Sequence, residues 1–90
     1  MKIWAKTVQG EKITRSFLYE TPYVGTDNYE ECLREICHEM DVPTPVVTPV
    51  NVRNFTNFNI ERFRPRDFVE SVDFDFFETE FVPDKKDKRS

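Results

Sequence analysis

Asp67-Phe68-Val69-Glu70-Ser71-Val72-Asp73-Phe74-Asp75-Phe76 largely alternates apolar and polar residues over ten positions. Phe68, Val72, Phe74 and Phe76 share one parity. Val69, Ser71, Asp73 and Asp75 share the other, and Glu70 is the one polar break. Period two is the pattern of a strand with one buried face. The spacing predicts a long strand from Val69 to Val82. At Phe76-Phe77 the apolar parity switches to Phe77, Thr79 and Phe81, which predicts a bulge or a strand end covered on both faces. Eight of the nine phenylalanines lie between Phe55 and Phe81, so an aromatic core is expected.

Upstream of this stretch, Ile60 to Arg64 reads as a short strand and Pro65-Arg66-Asp67 as the turn that follows it. Near the start of the chain, Lys2 to Val8 and Ile13 to Tyr19 are rich in β-formers. Gln9-Gly10-Glu11-Lys12 separates them, and the three pieces read as a β-hairpin. In the middle, Tyr29, Leu33, Ile36 and Met40 recur at helical spacing, flanked by Cys32 and Cys37. Glu31, Arg34, Glu35 and His38 occupy the opposite side, which predicts an amphipathic helix of about three turns. Asp27 and Glu30 read as its capping box, and Pro43 ends it. Pro43 to Pro49 is expected to be an extended connector that buries Val46 and Val47. Asn51 is expected to cap a short helix over Val52 to Asn59, with Phe55 and Phe58 facing the core.

The order β-β-α-(α)-β-β predicts an α+β fold: a mostly antiparallel sheet of about four strands, hairpin plus C-terminal strands, packed on one main helix. Residues 1–83 form the expected single domain, and 84–90 an expected disordered, charged tail. Ninety residues allow one domain, which buries only about 60–65% of its unfolded surface. The aromatics compensate, since each buries a large area.

Charge narrows the function classes. The net charge is −4, with seven acids and no Lys or Arg across 67–84. Lys85, Lys86, Lys88 and Arg89 follow. An acidic balance argues against a general nucleic-acid coat, and the better reading of the acidic run is a solvated strand face. The opening residues lack the apolar stretch of a signal peptide, and no run approaches the length of a membrane span. The expectation is a cytoplasmic protein that does not enter a membrane, with Cys32 and Cys37 as reduced core thiols.

Catalytic and metal chemistry lack their parts. Cys32 and Cys37 have C-x4-C spacing with no second pair and one His, short of a four-ligand zinc site. Glu35-Ile36-Cys37-His38 holds half of the Glu-x-x-His motif of carboxylate-bridged metal bundles, which needs a second copy. Cys37 and His38 point about 100° apart on a helix, so they do not form a nucleophile–base pair. Neither Gly10 nor Gly25 begins a phosphate-binding fingerprint. Asp73 and Asp75 share a strand face, where a solvated ladder is the better reading. The expectation is a non-enzyme with no cofactor and no metal.

Arg62-Phe63-Arg64-Pro65-Arg66 is the binding candidate. On an extended chain Arg62, Arg64 and Arg66 share one face, where three guanidinium groups suit phosphates or an acidic partner. The competing reading pairs them internally with Glu70, Asp73 or Asp75 across the sheet. Trp4, on the hairpin, is read as core, with an interface anchor as the alternative.

Asp41-Val42-Pro43-Thr44-Pro45-Val46, Asn51, Phe55, Phe58 and the stretch from Asp67 to Asp75, with the opening Lys2-Ile3-Trp4-Ala5-Lys6, resemble a family of short uncharacterised proteins from anaerobic Gram-positive bacteria. The resemblance runs nearly the whole chain, to about Val82. It implies no activity, cofactor or binding residue. The function expected from the residues is therefore a small protein–protein interaction or adaptor module. Its preferred surface is the arginine strand or an open hairpin edge, with a homodimer along a sheet edge as one form. The alternative is a nucleic-acid-linked regulator using the arginines.

Overall fold

The computed structural model describes residues 2–21 and 28–83. The elements run β1 (Lys2–Gln9), β2 (Lys12–Glu20), α1 (Tyr29–Met40), α2 (Pro49–Phe58), β3 (Ile60–Phe63), a 3-10 turn (Pro65–Asp67) and β4 (Phe76–Val82). The four strands form one antiparallel sheet in the order β2-β1-β4-β3. Both helices lie on one face of it, giving the α+β architecture expected.

The hairpin forms because Gly10, at φ +64°, takes the first of two loop positions. That is where two-residue turns demand a positive φ. The register then shifts between Thr7 and Val8, leaving Thr14 as the extra residue of a β-bulge. The Thr14 hydroxyl lies 2.7 Å from that of Thr7, so the bulge carries its own polar tie.

Helix α1 buries Tyr29, Cys32, Leu33, Ile36, Cys37 and Met40, the stripe its spacing predicts. Its N-cap is Asn28, which makes no side-chain cap bond; the Asp27 half of the expected capping box lies outside the described residues. At the other end Asp41 turns left-handed at φ 58°. Tyr29 joins three elements. It stacks on Phe55 of α2 at 4.3 Å between ring centroids, and its hydroxyl lies 2.6 Å from that of Thr79 on β4.

Helix α2 begins earlier than expected. Thr48 is the N-cap and Pro49 opens the first turn, where its missing N–H costs nothing. Asn51 is the third helical residue rather than the cap, and its side chain accepts from the Thr48 N–H at 2.8 Å. Phe55 is buried, but Phe58 is 67% exposed, against expectation. Phe58 ends the helix just before Asn59, at φ 62°, redirects the chain into β3. In the connector Val46 is exposed, against expectation, while Val47 packs half-buried against the core and Pro45 is buried.

The long strand from Val69 is corrected to a short one starting at Phe76. A strand needs a partner, and β1 has already turned away at Gln9. The last rung is the Asp75 N–H donating to the Val8 carbonyl at 2.7 Å. Residues 68–75 instead fold across the end of the sandwich. Phe68 and Phe74 enter the core edge to face, 5.4 Å apart, and Val69, Ser71, Asp73 and Asp75 stay exposed. The alternation was a burial pattern without a ladder. Asp75 also accepts from the Gly10 N–H, pinning this segment to the hairpin turn.

Candidate interaction surface

Pleating sorts the sheet residues. Ile3, Ala5 and Thr7 of β1, Phe17 and Tyr19 of β2, Phe63 of β3, and Phe77 and Thr79 of β4 face the helices. Trp4, Lys6, Val8, Ser16, Leu18, Ile60, Arg62, Phe76, Glu78 and Glu80 face the other way. No element covers that second face among the described residues. Ile13 and Leu18 are about half exposed.

A row of charge crosses the middle of this open face. Lys6, Glu78 and Arg62 sit opposite one another on β1, β4 and β3. Glu78 is only 5% exposed, yet it is doubly paired, with Lys6 Nζ at 2.9 Å and Arg62 Nε at 2.7 Å. Burial disfavours the charged carboxylate, but the hydrogen bonds and charges of Lys6 and Arg62 outweigh it and hold the Glu78 pKa below the ordinary value. Lys6 also lies 3.9 Å from the centroid of the Trp4 ring, a cation–π contact.

The expected arginine strand is broken up. Only Arg62 lies on a strand, and its head group is held by Glu78 rather than by Glu70, Asp73 or Asp75. Arg64 follows the strand, and Arg66 lies in the 3-10 turn that the Arg64 N–H begins by donating to Asp67 Oδ2. The three therefore do not share one extended face. Arg64 and Arg66 are exposed, and neither side chain has an acidic partner among the described residues. Trp4, read as core, is not part of it. It is half-buried on the open face, between Leu18 and Glu80.

Cys32 and Cys37 are buried and unpaired. Burial pushes the Cys37 thiol up to about 11 and raises that of Cys32, so both stay protonated at neutral pH. Among the described residues no three His, Cys, Asp or Glu side chains converge as metal ligands. His38 is exposed on α1.

The sheet order says which side of the hairpin is the open edge, a point that the residue patterns left undecided. It puts β2 at one edge, so its outer backbone groups have no strand beside them among the described residues. A shallow groove separates this edge from α1, lined by Phe17, Tyr19, Glu20, Glu35, His38 and Glu39 together with Arg34. The Tyr19 hydroxyl donates to Glu35 Oε1 at 2.8 Å. Burial, then this bond to a carboxylate, raises the tyrosine pKa to about 12. Further along, Arg15 Nη1 reaches the Met40 and Asp41 carbonyls at 3.4 and 3.3 Å, closing the C-terminal end of α1.

These features define a two-layer α+β module with one helix-covered face, one open face and two edge strands, of which β2 is the longer. In comparisons with known proteins, no family model, no curated protein and no solved structure matches the chain. No helix among the described residues is long and apolar enough to cross a membrane.

Proposed function

We propose that the protein is a small non-catalytic interaction module that takes an extended segment of a protein partner along the outer edge of β2. The observation that carries this reading is the nine-residue edge strand with no strand along its outer side among the described residues, beside a groove against α1. An unpaired edge is a template for another chain: backbone hydrogen bonds give affinity, and side chains in the groove give selectivity. A second copy of the chain pairing through the same edge is the homodimeric form of the proposal. The bulge at Thr14 twists the first part of β2, so the regular part from Ser16 to Glu20 is the docking stretch. A cytoplasmic location accompanies the proposal, supported by two buried cysteines left unpaired.

Arg64 and Arg66 keep the nucleic-acid alternative specific, because two guanidinium groups without acidic partners among the described residues suit phosphates. Affinity capture from lysate, with and without nuclease, separates the readings. On the edge reading, a partner survives nuclease, is lost in Leu18→Lys and is kept in Arg64→Glu/Arg66→Glu. Loss on nuclease and in the double arginine variant, with Leu18→Lys binding normally, would move the function to nucleic acid.

A further inference from the structure

We infer that the groove between β2 and α1 selects an extended segment carrying lysine or arginine at every second position. The inference rests on β2 being a docking edge, and it adds the chemistry of the occupant. A strand added to β2 points alternate side chains toward α1. There they meet the half-buried Phe17 and the buried Tyr19, whose rings stand 6.4 Å apart. Such a floor suits the aliphatic stem of a long cationic side chain, with the ring faces favouring the charge beyond it.

The walls supply the counter-charge. Glu35 and Glu39 line the groove from α1, and Glu20 lines it from the end of β2, opposite Lys2 in the sheet; none of the three forms an ion pair among the described residues. Arg34 is drawn along the helix to Glu30, 3.6 Å away, and His38 is the remaining basic group. Glu35 is set in place by the Tyr19 hydroxyl, so one carboxylate is positioned before any ligand arrives. A segment with acidic residues at the same positions would meet three like charges, which opposes binding.

The test uses the full chain, isotope-labelled, titrated with a short capped peptide alternating valine and lysine, and with its valine–glutamate counterpart. The lysine peptide is expected to shift the amides of Ser16–Glu20 and of Arg34–Glu39, with affinity falling as salt rises. Glu39→Gln and Glu20→Gln are each expected to weaken binding by about two- to fivefold, the range of an exposed ion pair. Both side chains are exposed and unpaired among the described residues, so the fold survives the changes. Equal binding of both peptides at β2, indifferent to Glu39→Gln and Glu20→Gln, would overturn the cationic selectivity while leaving the docking edge intact. Shifts elsewhere, or none at β2, would overturn the inference. The docking edge is tested separately, and it fails if Leu18→Lys leaves partner capture unchanged.

Discussion

Glu78 carries the densest chemistry on the open face. Its carboxylate is nearly buried and is stabilised by one lysine and one arginine. Replacing it with alanine leaves Lys6, itself only 14% exposed, without its closest partner. We expect a loss of about 1–3 kcal/mol in denaturant unfolding. The pH dependence follows from the lowered folded-state pKa. The contribution is complete above the unfolded carboxylate value of about 4.3 and is lost as pH falls through the folded value. Wild type should therefore lose stability in acid more steeply than Glu78→Gln; parallel acid limbs would contradict the pairing. Tyr29→Phe probes the core in the same way. It keeps the stack on Phe55 but strands the buried Thr79 hydroxyl, for an expected loss of about 1 kcal/mol in thermal or denaturant unfolding.

At the level of elements, the hairpin turn was legible because a single residue type decides it, whereas the start of α2 was not, since Thr48 rather than Asn51 is its cap. Gly10 marks the hairpin turn because only the loop conformation there calls for a positive φ. Gly10→Ala meets no neighbouring atom at its new Cβ, so its cost should be backbone strain alone, about 1 kcal/mol. Thr48→Ala should cost α2 about 1 kcal/mol, seen as a lower melting temperature. Asn51→Ala removes the reciprocal half of the box and also the amide's bond to Glu61, so it should cost at least as much. The stripe of α1 was equally legible, since Tyr29, Leu33, Ile36 and Met40 face one way at any register. The segment from Phe68 to Asp75 was not. Alternation reports which side chains are buried, whereas a strand also needs a partner backbone. Whether β1 extends far enough to provide one depends on where the hairpin turns and how β4 registers against it. Phe58 shows the same limit in a helix: its spacing matches the core side, but the chain leaves through Asn59 before anything covers it.

Across the whole molecule, the α+β class and the antiparallel sheet follow from local patterns, while the candidate site follows from strand order. Nothing in Lys12–Glu20 says that β2 lies at an edge; that depends on β4 taking the other side of β1. The arginines illustrate the converse. Their alternate spacing suggested one face, but Pro65 starts a 3-10 turn after β3, so Arg62 is committed to Glu78 and Arg64 and Arg66 are carried off the sheet. The groove residues are split between β2 and α1, and only the packing of Tyr19 on Glu35 brings them together. Whether β2 receives an extended partner is read by amide hydrogen exchange on the protein alone and with its captured partner. A docked strand gives new protection confined to Ser16–Glu20 and the facing turns of α1. Protection at Arg64–Asp67, with β2 exchanging as freely as before, would contradict it.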